Sequence, residues 1–143
     1  MAVYIDRLKN KIGAQKCHLV AHSFTGIDAR AAISMFGADK NVQSLTTICS
    51  PHRGMRLIDL ALGRDGDRGA RSLDNLERVF EVLGLTGKSV SEFLTPNISA
   101  FNEVCQNNDA VNYYSMGAKK GGRAMSTVLK DGHDLLVNDT FGK

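Results

Sequence analysis

The chain has 143 residues, 43% of them hydrophobic, and a formal net charge of +3 at pH 7. This length can bury one hydrophobic core, and the composition is typical of a globular protein rather than a fibrous or disordered one. No apolar run approaches the roughly 20 residues that span a bilayer, and the weak, scattered positive charge argues against nucleic-acid binding.

Apolar periodicity predicts helices alternating with strands in the first part of the chain. We expect a helix over 3–12 that Gly13 ends, a strand over 18–21, a helix over 26–36 that Gly37 ends, and a strand over 42–49. The helix over 26–36 carries apolar residues at positions 27, 31, 32, 35 and 36.

The second part of the chain is predicted to be mainly helical, with one more strand. Helices are expected over 55–62, 72–85, 89–94, 95–105 and 124–130, a polar loop over 63–69, and a strand over 111–116. Thr95 and Pro96 have the residue types of a helix cap and a first helical position. Strands that alternate with helices predict an α/β fold with a parallel sheet and helices on its faces.

The cysteines and the N-terminus bear on the cellular setting. Three cysteines, at positions 17, 49 and 105, lack the spacing of a disulfide framework or a zinc site. Cys17 and Cys49 lie in or beside apolar, strand-like runs, so we expect both thiols to be buried. The segment "MAVYIDRLKNKIG" lacks the apolar core of a signal peptide. This favours an intracellular protein if Met1 is the true start.

The stretch "CHLVAHSFTG" places Ser23 between a predicted strand and a predicted helix. A serine hydroxyl needs a base, an oxyanion hole and exposure to act as a nucleophile. A sharp strand-to-helix turn exposes the side chain, and it needs small residues two before and two after the serine. Those positions hold Ala21 and Thr25, with Gly26 next, so Thr25 departs from the glycine pattern. This context favours Ser23 as a nucleophile over an ordinary helix N-cap.

Four stretches, in order over residues 17–118, resemble lipases of the α/β-hydrolase superfamily: "HLVAHSFTGIDARAAIS", "VQSLTTICSPHRG", "FLTPNISAFNEV" and "VNYYSMGA". The resemblance implies a partial α/β-hydrolase fold, with a mostly parallel sheet and helices on both faces. It also implies one partial domain over 1–143, in which residues 55–94 are a candidate for lid or cap helices. An ordinary buried helix would explain the same pattern in that segment.

The resemblance also implies roles for individual residues. Ser23 corresponds to the nucleophile, and the backbone N–H of Phe24 corresponds to one half of the oxyanion hole. His22 corresponds to a histidine that packs beneath the turn, and His52 to a loop histidine that we interpret as structural. For Asp28, a helix-terminus or buried polar contact is favoured over catalysis. No cofactor and no metal ion are expected.

The histidine base and the acid of a catalytic triad are not identified in this sequence. In the family they follow the serine in chain order, acid first. Asp131 and His133 are separated by too few residues to match that arrangement, and we interpret His133 as an exposed loop residue. We therefore expect the base and the acid to lie outside this chain.

The function indicated is a lipase-like serine ester hydrolase acting on acylglycerols or related lipid esters, and an acyltransferase with the same nucleophile is a close variant. The alternative is a non-catalytic truncated product or an interaction module that retains part of the fold. The expected partner is a lipid ester substrate, with room for peripheral contact with a lipid interface and no nucleic acid.

Overall fold

The computed structural model describes residues 1–62 and 88–119. Strands β1 (Cys17–His22), β2 (Val42–Ile48) and β3 (Asn112–Met116) form a parallel sheet in the order β1-β2-β3. The helices are α1 (Ala2–Ile12), α2 (Thr25–Ser34), α3 (Arg56–Ala61), α4 (Lys88–Glu92) and α5 (Thr95–Val104), with a 3₁₀ turn at Ala38–Lys40. The predicted order of strands and helices and the parallel pairing are confirmed for these residues.

The register of the sheet brings three strand ends to the same edge. His22 pairs with Ile48, and Ile48 pairs with Met116. Because the strands are parallel, the segments that follow them leave the sheet side by side. Ligands of α/β folds bind outside this carboxyl edge, so the segments after β1 and β2 are where a site is expected.

The chain divides into two compact units. The first consists of Met1–His52 and Ala100–Ala118, and it contains the whole sheet. Its core residues are Ile5, Ala21, Ala29, Ala32, Ile33, Ala38, Val42, Leu45 and Val111. The second unit consists of Arg53–Ser99 and Lys119–Lys143, and its described residues bury Ile58, Leu60, Val90, Leu94 and Ile98.

Several sequence predictions fall wholly or partly outside the described residues. These are the loop over 63–69, the helices over 72–85 and 124–130, and part of the candidate lid over 55–94. The single domain over 1–143 and the lid therefore remain predictions. Within residues 1–62 and 88–119, no helix has the length and apolar character needed to cross a membrane.

Helix α2 differs from its prediction at its C-terminal end. It ends at Ser34, and the side chains of Met35 and Phe36 are 50% and 68% exposed. Gly37, at φ 73°, begins the 3₁₀ turn instead of ending the helix. The buried residues of the helix are Gly26, Ile27, Ala29, Ala32 and Ile33. Small residues therefore form much of the packed face of α2. The spacing of large apolar residues in the sequence does not reveal this face.

The prediction of two buried thiols near the strands is wrong for Cys49. Cys17 is half-buried, Cys49 is exposed, and Cys105 is fully buried. Strand β2 ends at Ile48, and Cys49 has a φ of 50°. The chain thus leaves the sheet one residue before the apolar run ends, which takes the Cys49 side chain out of the core.

Candidate active site

Ser23 occupies a strained turn between β1 and α2. Its φ is 58°, a value that is uncommon for a residue other than glycine and that is concentrated at functional sites. Its N–H donates to the carbonyl oxygen of Ile48 at 2.9 Å, and its carbonyl oxygen accepts from the N–H of Gly26 at 3.2 Å. The turn is therefore bonded both to the end of β2 and to the first turn of α2.

The glycine that this turn requires lies at position 26 rather than at position 25. A Cβ atom on Gly26 would lie 2.8 Å from Ser50 Cβ and 3.0 Å from Thr47 Cγ2, with Ser50 Oγ closer still. Thr25, by contrast, is exposed and its Oγ1 donates to the carbonyl oxygen of His22 at 2.7 Å. The departure from the glycine pattern at Thr25 is thus compatible with a sharp turn at Ser23.

Phe24 lies at the N-terminus of the ten-residue helix α2, in the right-handed helical conformation. Its carbonyl oxygen accepts from the N–H groups of Ile27 and Asp28. The side chain of Asp28 is exposed in the first turn of the helix, where the helix dipole favours a negative charge. This position fits the helix-terminus contact that was expected for Asp28.

Arg30, in the second turn of α2, contacts a cluster of side chains from three other parts of the chain. Its guanidinium donates to Asn102 Oδ1 at 2.8 Å and to the carbonyl oxygen of Cys105 at 3.0 Å. It also lies 3.4 Å from His52 Nδ1 and 5.5 Å from the centre of the Phe101 ring, within the range of a cation–π interaction. We call Arg30, Thr47, His52, Phe101 and Asn102 the Arg30 cluster.

Both ring nitrogens and the backbone carbonyl oxygen of His52 have hydrogen-bond partners within this cluster. Its Nε2 lies 3.0 Å from Thr47 Oγ1, and its carbonyl oxygen accepts from Asn102 Nδ2 at 2.9 Å. Burial and the nearby charge of Arg30 lower the pKa of His52 below its usual 6.5. Both effects favour the neutral ring, and the contacts of His52 agree with the structural role expected of it.

The other histidines and acids proposed from the sequence are not brought to Ser23 in the described residues. His22 precedes Ser23 but its side chain is exposed, so the expectation that it packs beneath the turn is wrong. His18 Nδ1 lies 2.7 Å from Ser44 Oγ. His133 and Asp131 lie outside the described residues. In the part of the chain that is described, no three His, Cys, Asp or Glu residues group closely enough to hold a metal ion.

Sequence reasoning missed the residues that organise the surroundings of the turn. Arg30, Phe101 and Asn102 each belong to a quoted lipase-like stretch, yet no pattern within one stretch indicates that they meet. A similar omission occurs in the second unit, where the buried Asp59 accepts from the N–H and the Oγ1 of Thr95. The sequence predicts Thr95 as the cap of α5, whereas the Asp59 carboxylate accepts from the N–H group at the start of that helix.

No protein-family model matches this chain. Among curated proteins it is similar to triacylglycerol lipase 2 of Saccharomyces cerevisiae, with 26% identity over 114 residues, or 79% of this chain and 32% of the lipase. Among solved structures it is similar to the mature lipase BlEst2 of Bacillus licheniformis, with a TM-score of 0.72 and 23% identity over 99% of this chain and 53% of that chain. The propeptide form of BlEst2 gives a TM-score of 0.61 at 23% identity and covers 80% of this chain and 24% of that chain.

The chain thus spans about half the length of the mature bacterial lipase and about a third of the yeast lipase. In the described residues the fold consists of the parallel order β1-β2-β3 and its helices, and the TM-score of 0.72 shows that the chain folds like the bacterial lipase. These similarities confirm the resemblance that the four sequence stretches indicated. The chain therefore has a lipase-like, partial α/β-hydrolase fold.

Proposed function

We propose that this chain supplies the nucleophile of a serine ester hydrolase that acts on acylglycerols or related lipid esters. The observation that carries the proposal is the positive φ of Ser23, at a turn between a parallel strand and a ten-residue helix. Such a turn presents a serine at the carboxyl edge of the sheet. The similarity to a triacylglycerol lipase supports a lipid ester as the class of substrate.

In this proposal Ser23 Oγ attacks the ester carbonyl carbon, and the alcohol leaves as an acyl-serine forms. The Phe24 N–H, directly after the nucleophile and at the N-terminus of α2, is one donor to the oxyanion. Water then releases the fatty acid and restores the serine. Each step moves a proton, so a histidine base and an orienting acid are required.

The base and the acid are proposed to come from outside the described residues. Within the described residues, no histidine ring is hydrogen-bonded to Ser23. His18 contacts Ser44, and His52 contacts Arg30 and Thr47. The side chain of His22 is exposed. Two sources are open: residues 120–143, which contain His133, or polypeptide beyond this chain.

A fluorophosphonate probe tests the role of Ser23, because an activated serine attacks the phosphorus atom and displaces fluoride. The protein is first isolated from its source cells and its intact mass is measured, and it is then labelled. We expect one adduct on the peptide that contains Ser23. The Ser23→Ala variant should not be labelled, whereas Ser99→Ala, which changes an exposed serine of α5, should be labelled at the normal rate.

The intact mass separates the two sources of the base. A mass well above 15.5 kDa with a labelled Ser23 would show that polypeptide beyond this chain is present in the active protein. Labelling at a mass near 15.5 kDa that is lost in His133→Ala would identify His133 as the base. An unlabelled protein of either mass would contradict the proposal and favour a non-catalytic role.

A further inference from the structure

The Arg30 cluster is not used by the proposed chemistry, although Arg30 belongs to α2, the helix that begins two residues after Ser23. We propose that Arg30 and His52 are positioning residues of the Ser23 turn, and that His52 acts as the neutral tautomer that carries its proton on Nε2. Only the effect on Ser23 reactivity rests on the proposed function. The tautomer and the rigidity of the turn can be measured without any catalysis.

The contacts of Arg30 show what the residue holds together. The guanidinium bonds Asn102 Oδ1 and the carbonyl oxygen of Cys105, and it lies over the Phe101 ring. These three partners belong to α5 and the residue after it, 71–75 positions away in the chain. Arg30 therefore attaches the middle of α2 to the segment that leads into β3. A lysine would not replace it, since its single ammonium group cannot reproduce the planar fork of donors.

Asn102 extends the same attachment to the loop after β2. Its Oδ1 accepts from Arg30, and its Nδ2 donates to the carbonyl oxygen of His52. The His52 loop is therefore held through its backbone as well as through its ring. Both ends of the Asn102 amide are used, which defines the orientation of the amide because only one of its ends can donate.

The hydrogen bonds at the two sides of the His52 ring require the same tautomer. A guanidinium can only donate, so the Nδ1 atom that faces Arg30 accepts and carries no proton. On the other side, Thr47 Oγ1 donates its proton to the carbonyl oxygen of Tyr114, at 3.3 Å. Thr47 must then accept from His52, so the proton of the ring is on Nε2. Arg30 thus donates to His52, His52 donates to Thr47, and Thr47 donates to the carbonyl oxygen of Tyr114 in β3.

This chain of hydrogen bonds reaches the Ser23 turn through close packing. Ser50, two residues before His52, lies against Gly26, where there is no room for a Cβ atom. The Ser23 N–H is bonded to Ile48, just before the same loop. The first turn of α2 and the loop therefore move together, and holding the loop to Arg30 restricts the backbone at Ser23.

Protonation of His52 would break this arrangement. A second proton on Nδ1 would face the guanidinium of Arg30, two donors and two positive charges with no acceptor between them. Thr47 of β2 and Asn102 of α5 are neutral, so Arg30 is the charged group that these contacts place against the ring. Because the folded state lowers the pKa of His52 below 6.5, the stabilisation is complete above pH 6.5 and is lost as the pH falls below that value.

Nitrogen-15 NMR of the histidine rings in the 143-residue chain tests the tautomer directly. We expect His52 to show a protonated Nε2 and an unprotonated Nδ1 at pH 7.5, with a titration midpoint below 6.5. In Arg30→Gln the midpoint should rise, because the neighbouring positive charge is removed. Arg7→Gln, which changes an exposed arginine of α1, should leave the midpoint unchanged. A proton on Nδ1 of the neutral ring would overturn the tautomer, and a midpoint at the ordinary value would overturn the placement of the Arg30 charge against the ring.

Amide hydrogen exchange tests the positioning of Ser23 separately from global stability. The Ser23 N–H is bonded to Ile48, and the Cys17 N–H, bonded to the carbonyl oxygen of Asn41, serves as an internal reference. In Arg30→Gln and Arg30→Lys the protection of Ser23 should fall by about tenfold more than that of Cys17, as expected for lost hydrogen bonds to a charged group. Equal losses at both amides would show general destabilisation and would overturn the positioning role.

The pH dependence and the probe complete the test. In the unmodified chain, protection of Ser23 should fall as the pH passes below the His52 midpoint, and this step should be absent in His52→Gln. Fluorophosphonate labelling of Ser23 should slow by about tenfold in Arg30→Gln. If Ser23 is never labelled but the tautomer and exchange results hold, the proposed function fails and the positioning role stands. If Ser23 is labelled equally well in Arg30→Gln, the positioning role fails alone.

Discussion

Replacing Gly26 by alanine tests whether the Ser23 turn depends on close packing against the loop after β2. The new Cβ would lie 2.8 Å from Ser50 Cβ and 3.0 Å from Thr47 Cγ2, with Ser50 Oγ closer still. Such overpacking destabilises a protein by about 1–3 kcal/mol, whereas the helix propensity of alanine returns up to about 1 kcal/mol. We therefore expect Gly26→Ala to lower the free energy of unfolding by about 1–2 kcal/mol.

A double-mutant cycle separates this clash from other effects of the substitution. Ser50→Gly removes the Cβ and Oγ atoms that the new methyl group would meet, and within the described residues the buried Ser50 Oγ has no hydrogen-bond partner to lose. In the Ser50→Gly background, Gly26→Ala should therefore be neutral or slightly stabilising. The two substitutions should couple by about 1–2 kcal/mol, as residues in direct contact do.

Urea unfolding followed by far-ultraviolet circular dichroism measures each free energy. Gly37→Ala is the matched control, because Gly37 has a φ of 73° and open space around its Cβ position. That substitution should destabilise the chain through its backbone conformation, and Ser50→Gly should not change its effect. The packing argument would be refuted if Gly26→Ala were as stable as the original chain. It would also be refuted if Gly26→Ala lowered the free energy of unfolding equally in the original chain and in the Ser50→Gly variant.

Two further predictions use the same unfolding assay. Ile33→Ala should lower the free energy of unfolding by about 2–5 kcal/mol, since Ile33 is 1% exposed. Phe36→Ala, at a side chain that is 68% exposed, should change the free energy of unfolding by less than about 0.5 kcal/mol. Similar losses of stability in Ile33→Ala and Phe36→Ala would contradict the assignment of Ile33 to the core. Asp59→Asn should lower it by about 1–2 kcal/mol, because the buried carboxylate accepts two hydrogen bonds from Thr95. Asp109→Asn is the exposed control. An equal loss of stability in that variant would show that the lost negative charge, and not the lost hydrogen bonds to Thr95, causes the effect.

Local patterns in the sequence were enough to predict the helices and strands of the described residues and their order. Strand β2 was predicted within one residue, because its β-branched residues favour the extended backbone locally. The end of α1 at Gly13, which has a φ of 69°, follows from the freedom of glycine in the left-handed region. Both features follow from backbone preferences that each residue type has within its own stretch of the chain. The four lipase-like stretches also indicated the α/β-hydrolase fold, because four matches in the expected order are more specific than any one of them.

Contacts between residues that are distant in the chain could not be predicted from local patterns, because they depend on the folded arrangement of the strands and helices. Arg30 contacts His52 and Asn102, which are 22 and 72 positions away, and only the parallel register of β1, β2 and β3 brings their segments to one edge. Likewise, Asp59 caps a helix that begins 36 positions later. Side-chain hydrogen bonds act over about 3 Å in space regardless of separation in the chain. The strand-to-helix turn at Ser23 was therefore visible in the sequence, whereas the residues that hold that turn became visible only in the folded chain.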